Sequence, residues 1–333
     1  MHSGLFDLYI SVKRIYDKGY RLRIFLHLCG LNAFTTQKTT YRCNEGEAFM
    51  KVKIIADSTC DLSRELIKKY DVAITPLSVI LGERTGMDGE EITPEDIYAY
   101  VEATGQLPKT SAINTEEYLR VFRQWQEEDC QIVQFCISSQ FSSCYQNACA
   151  AAKGLQDVYV VDTLNLSTGM GLLVLHAAEM ARQGCAAKEI YESCTKLTAQ
   201  VEASFVVNSI DYLYKGGRCS ALSALGANLL RIKPCIEVTD GRMVPGRKLR
   251  GNIGKVMQAY VEDRLSGRKD IDLHRIFLTH TRCDPADVEA VRRKILELQP
   301  GFEEILETTA GSTITSHCGP ATLGVLFIRK EEA

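Results

Sequence analysis

The sequence predicts an α/β protein of two domains, an N-terminal mostly parallel sheet flanked by helices and a C-terminal α+β domain. From residue 50 to about 185, apolar runs of strand length alternate with amphipathic or alanine-rich stretches. That alternation describes strand–helix crossovers, which cover both faces of a parallel sheet with helices. From residue 186 onward shorter extended runs surround a glycine-rich segment, which favours antiparallel pairing. With 333 residues, 45% hydrophobic and 24% charged, the chain is long enough for two such cores.

Taken in order, residues 52–56 read as a strand ending in Asp57-Ser58-Thr59, and 63–70 as a short helix capped by Ser63. Residues 72–81 form one further extended run. Thr93, Pro94 and Glu95 open a helix through residue 103, since proline at the first helical position loses no needed N–H. Residues 115–127 make a helix with Tyr118, Leu119, Phe122 and Trp125 along one side, and Asn114 with Glu117 has the spacing of a capping box. The strand 130–137 runs into SSQFSSCYQNA and the helix 145–155. Then come the strand 158–161 and the long helix 165–184. In the second half, 187–200, 253–266 and 284–298 read as helices; 202–207, 235–238, 242–244, 275–281, 304–309 and 323–329 read as strands.

Residues 1–49 differ from the rest, being basic, aromatic and without sustained periodicity. They lack the continuous apolar region of a secretory signal. Two readings stand: a translated upstream region with Met50 as the true start, or a flexible basic extension. The net charge of −3 argues against a nucleic-acid binder. The thirteen cysteines contain no C-x-x-C pair and lie mostly in apolar surroundings, which points to free thiols in a reducing cytoplasm. Six scattered histidines give no zinc ligand pair, so neither metal nor other cofactor is expected.

Polar clusters stand at the loops. The serine stretch 138–148 places hydroxyls, free backbone N–H groups and a helix N-terminus together, which favours an anion. Asp57-Ser58-Thr59 occupies the carboxyl end of the first strand, where open α/β sheets bind ligands. In Lys109-Thr110-Ser111, Thr110 and Ser111 have no structural role to absorb them. Tyr214-Lys215-Gly216-Gly217-Arg218, with Lys233 and the 247–251 stretch, joins paired glycines to cations. His317 lies in a Gly/Pro loop before the last strand, whereas His176 reads as a core residue on a helix. No G-x-S-x-G elbow, Walker A or G-x-G-x-x-G motif is present. A dyad of Ser142 or Cys144 with His317 has no visible third residue to orient it.

In this order the clusters resemble the DegV family of fatty-acid-binding proteins, over essentially residues 50–330. KIIADSTCDL is similar to the family's opening strand and D-S loop, LPKTSAINTEEY to its T-S-x-P segment, and SSQFSSCYQNA to its S-S-x-L-S-G-T-Y-Q-S-A signature. YLYKGGRCS resembles K-G-G-R-I-S, LLRIKPCIEVTDG and RKLRG resemble the segments that follow, and SHCGPATLG resembles the closing H-x-G-P-G-T-L-G. The resemblance implies two α/β domains, here 50–185 and 186–333, with a long-chain fatty acid between them. It implies that the carboxylate is held by hydroxyls of Thr110 and Ser142, with Ser111 secondary and with Arg218, Arg250 and His317 near the head group or its exit. It also implies a non-catalytic carrier that presents the acid to a separate ATP-binding fatty acid kinase protein. The expected setting is a bacterial cytoplasm, with no nucleic-acid partner and room for peripheral membrane contact. The alternative is a hydrolase using Ser142 or Cys144 with His317. The sequence departs from the family at Ser143-Cys144 in place of Gly-Thr, at Ala112-Ile113 in place of Gln-Pro, and at Ala321 in place of Gly.

Overall fold

The computed structural model describes residues 51–219 and 232–331. The expectations for residues 1–49 and for Met50, and the motif positions 220 and 229–231, lie outside the described residues.

A four-stranded sheet forms from β1 (Lys51–Asp57), β2 (Ala73–Thr75), β6 (Cys130–Cys136) and β7 (Val158–Asp162), in the order β2-β1-β6-β7 and parallel throughout. A three-stranded antiparallel sheet, β4-β3-β5, combines β3 (Ser78–Leu81), β4 (Arg84–Met87) and β5 (Lys109–Ser111). The largest sheet has six strands: β8 (Val201–Val206), β9 (Lys233–Thr239), β10 (Arg242–Leu249), β11 (Ile271–Thr281), β12 (Glu304–Thr309) and β13 (Thr322–Arg329). Their order is β10-β9-β8-β13-β11-β12, antiparallel except for the β11–β12 pair. The chain is thus α/β, with a parallel sheet flanked by helices and a further mixed sheet.

Ten helices are used below: α1 (Arg64–Tyr70), α2 (Pro94–Thr104), α3 (Thr115–Gln126), α4 (Cys144–Ala152), α5 (Ser167–Arg182), α6 (Ala187–Leu197), α7 (Asp211–Gly216), α8 (Ile253–Leu265), α9 (Pro285–Leu298) and α10 (Ser312–Cys318). Caps place several of the starts. Ser63 accepts from the Leu66 N–H, and Thr93 with Asp96 and Asn114 with Glu117 each close a capping box.

The layers follow from which residues are apolar. Tyr118, Phe122, Ala148 and Ala151 of α3 and α4 pack on one face of the parallel sheet against Ile55 and Ile132. Val256, Tyr260, Val288 and Val291 of α8 and α9 cover the outer face of the six-stranded sheet against Leu278 and Val325. Between the two sheets runs α5. It is apolar nearly all round, as a helix must be when both sides are covered. Met170, Leu172, Leu173 and Val174 join Ile54, Val133 and Phe135 of the first sheet and Phe277 and Leu326 of the second in one core. Each buried leucine there contributes about 1.5–3 kcal/mol. Close approach of α5 to the loop after β1 needs Gly171, where a Cβ would stand 3.0 Å from the Cys60 carbonyl oxygen.

Four local expectations are corrected. The run 72–81 is two strands in different sheets, because Pro76 has no N–H to continue the first ladder. Lys109-Thr110-Ser111 is a strand that pairs Thr110 with Val79. The glycine-rich segment is led by the short helix α7, and Gly217 (φ +70°) caps its end in the left-handed region. His317 sits in the last turn of helix α10, which runs through Cys318, so the Gly/Pro loop begins only at Gly319.

Candidate functional site

The first strand's loop carries scaffolding. The buried Asp57 carboxylate accepts from the Tyr118 hydroxyl at 2.7 Å, Gln134 Nε2 at 3.1 Å and the Ile137 N–H at 3.1 Å. Burial raises its pKa to about 7 against those hydrogen bonds, and they tie α3 and the end of β6 to β1. Asp88 Oδ2 accepts from Ser58, while its Oδ1 accepts from the Ser312 N–H at 2.8 Å. The Asp61 Oδ1 accepts from the Gly311 N–H at 2.8 Å. Two carboxylates therefore hold the start of α10, whose N–H groups need acceptors. Asp57, Ser58 and Thr59 do not line the cavity described below.

Beyond β6 the serine stretch folds back on itself. Backbone N–H groups of residues 138–142 and of Cys144 all find partners inside the protein, including Asn165 O, Asp162 Oδ1 and Ser142 Oγ. The N–H groups of residues 138–142 and of Cys144 are therefore already engaged, which leaves the side-chain hydroxyls and the later N–H groups of the α4 first turn. Ser138 turns away to donate to the Gly241 carbonyl at the tip of the β9–β10 hairpin. Ser142 Oγ lies 3.2 Å from Cys144 Sγ, a weak acceptor that a stronger one displaces easily. Ser143 occupies the N-cap of α4 and its side chain makes no capping bond.

Opposite the serines stand β5 and α10. Asn147 Nδ2 donates to the Ile113 carbonyl at 2.7 Å and fastens α4 to the segment that carries Thr110. Thr110 Oγ1 lies 2.8 Å from His317 Nε2. Burial, with the Arg218 charge nearby, lowers the His317 pKa to about 4, so the ring is neutral. Its Nδ1 has no partner and faces Gly216, where a Cβ would come within 2.7 Å of it. A buried N–H without an acceptor is costlier than a bare ring nitrogen, so we place the proton on Nε2. Nε2–H then donates to Thr110, and the Thr110 O–H is left to point into the cavity.

These elements enclose a cavity of about 720 Å³ lined by Thr110, Ser111, Ser142, Arg218 and His317, with apolar walls that include Leu77, Phe141, Leu166 and Ile314. Five of the six residues expected at the site meet here. Arg218 is half-buried and folds back onto the Gly216 carbonyl at 2.7 Å. Ser111 is exposed at the rim. Arg250 is the sixth; it stands exposed just after β10 and is not among the lining residues. The Ser142–His317 and Cys144–His317 dyads are not formed, because His317 Nε2 is engaged by Thr110 and burial lifts the Cys144 thiol to about 12. Thr313, one helical turn before His317, lines the cavity and was not marked by the sequence, since a threonine among four hydroxyl residues of one helix carries no distinguishing pattern.

Residues 51–330 match the family described as "Uncharacterised protein, DegV family". The chain belongs to the DegV family. The DegV relative named "Fatty acid-binding protein" from Thermotoga maritima is 33% identical over 284 residues, covering 83% of this chain and 96% of that one. The fatty-acid-binding DegV family protein from Thermus thermophilus superposes with a TM-score of 0.75 at 30% identity, over 84% of this chain and all of its own. The Streptococcus pneumoniae Fatty Acid Kinase (Fak) B3 protein loaded with linoleic acid shares the DegV fold, with a TM-score of 0.71 at 22% identity over 84% of this chain and 99% of its own. Among the described residues no helix is long and apolar enough to cross a membrane.

Proposed function

We propose that this chain binds a long-chain fatty acid between its 50–185 and 186–333 halves and presents the carboxylate to a separate ATP-binding kinase, itself catalysing nothing. The observation that carries the reading is a single cavity lined by the two O–H donors Thr110 and Ser142 together with the apolar side chains of Leu77, Phe141, Leu166 and Ile314. A chain of about fifteen methylenes would contribute roughly 12 kcal/mol on burial before association costs. A buried carboxylate costs several kcal/mol unless it is hydrogen-bonded. Neutral hydroxyls meet that need, with His317 holding Thr110 in the donating orientation, and they leave the carboxylate oxygens nucleophilic. A close salt bridge would hold the oxygens harder and blunt attack on a phosphoryl group.

The kinase role rests on the neutral donors and on a His317 ring whose Nδ1 has no partner to orient it as a base; the name of the streptococcal protein agrees with it. Native mass spectrometry of protein purified from a bacterial host tests the binding, with a co-purified long-chain acid expected. Ser142→Ala is expected to weaken retention about tenfold, the loss of one hydrogen bond to a charged group. Unchanged retention together with loss of a measurable esterase activity would favour the hydrolase instead. Acyl phosphate formation on adding a bacterial fatty acid kinase protein and ATP tests the presentation.

A further inference from the structure

Ser142 reaches the cavity, but the side chain that holds its hydroxyl stands two residues on and is not among the lining residues. Ser142 donates to Cys144 Sγ at 3.2 Å, and its Oγ accepts from the Cys144 N–H at 3.3 Å. Cys144 is the first residue of α4 and is wholly buried, in the core that also holds Ile113, Tyr118 and Cys136. Burial lifts its thiol to about 12, so the sulfur keeps its proton. On the core side that thiol helps to stabilise the Asp57 carboxylate, and on the cavity side the sulfur accepts from Ser142.

Sulfur is a weak acceptor and a hydroxyl oxygen a strong one. A carboxylate that enters the cavity must draw the Ser142 O–H away from whatever residue 144 offers it. The ligand gains a charge-assisted bond less the bond given up. With sulfur the loss is small, while the contact still fixes where the hydroxyl waits. An oxygen in the same place would compete with the ligand for the same proton.

We propose that Cys144 is a positioning residue for the carboxylate: its sulfur holds the Ser142 hydroxyl beside the cavity and yields it to the acid more readily than an oxygen there would. The inference deepens the fatty-acid reading and rests on it. It also gives a role to the cysteine that stands where the family resemblance has threonine.

Equilibrium binding of palmitic acid to the full chain tests this in Cys144→Ser, in Cys144→Ala and in each of these combined with Ser142→Ala. Cys144→Ser is expected to weaken binding about three- to tenfold, because an ordinary O–H···O bond must now be broken. Cys144→Ala, which offers the hydroxyl no acceptor, is expected to bind at least as tightly as the parent. In the Ser142→Ala background both differences should vanish, since residue 144 acts only through that hydroxyl; an effect of packing alone would persist there. Should Cys144→Ala fail to fold, Cys144→Ser and its double variant still decide the matter. Equal affinity of Cys144→Ser and the parent, weakening by alanine, or an effect that survives loss of the Ser142 hydroxyl overturns the proposal. If the unaltered protein binds no fatty acid at all, the underlying reading fails instead.

Discussion

His317 is neutral because its surroundings penalise its charge, and this gives the site a pH signature. Its folded pKa of about 4 lies below the ordinary 6.5, so the stability gained by keeping it neutral is full above pH 6.5. That contribution is lost as pH falls toward 4, where the unfolded chain binds a proton that the folded one resists. Urea midpoints measured from pH 7 to 4 should therefore fall less steeply in His317→Gln than in the parent. Asp57 works in the opposite sense. Its folded pKa of about 7 stands above the ordinary 3.8, so its contribution is complete below 3.8 and fades as pH rises through 7. At this scale motif order in the sequence singled out Thr110, Ser142, Arg218 and His317, and all four line one cavity. It did not show that Gly216 is glycine to admit the His317 ring, because that contact joins α7 to α10 across about a hundred residues.

Short elements decide how the site is assembled, and these were the hardest to read. A three-residue strand such as β5 has no periodicity of its own; pairing with β3 creates it. The seven-residue α10 lies below the length at which a helix is stable alone, and carboxyl groups brought from the loop after β1 (Asp61) and the turn after β4 (Asp88) hold its start. Long elements carry their own patterns, so α3, α5, α8 and α9 were legible to within a few residues. The role of Asp88 was not, since an Asp-Gly turn gives no hint of a helix start more than two hundred residues away. Asp88→Ala should cost about 1–3 kcal/mol by stranding the Ser312 N–H and the Ser58 hydroxyl. The lowered urea midpoint would be accompanied by weaker fatty acid retention, because α10 carries His317.

For the molecule as a whole, a ligand that binds only the folded state adds stability by mass action. At a free fatty acid concentration one hundred times the dissociation constant the gain is about 2.7 kcal/mol. Protein stripped of lipid should accordingly melt several degrees below the loaded form and regain the difference when the acid is added back; identical melting of the two forms would count against binding in the folded core. The class was readable because alternating strands and helices admit few arrangements; the separate three-stranded sheet and the place of α5 between two sheets were not. The burial of α5 has a consequence for how the chain holds together. Its residues belong to two interiors at once, completing one face of the parallel sheet and the inner face of the mixed one. Neither half keeps a closed interior without it. A fragment starting at residue 186 would bare Ala203, Phe277 and Leu326 to water, so the two halves stand or fall as a single cooperative body.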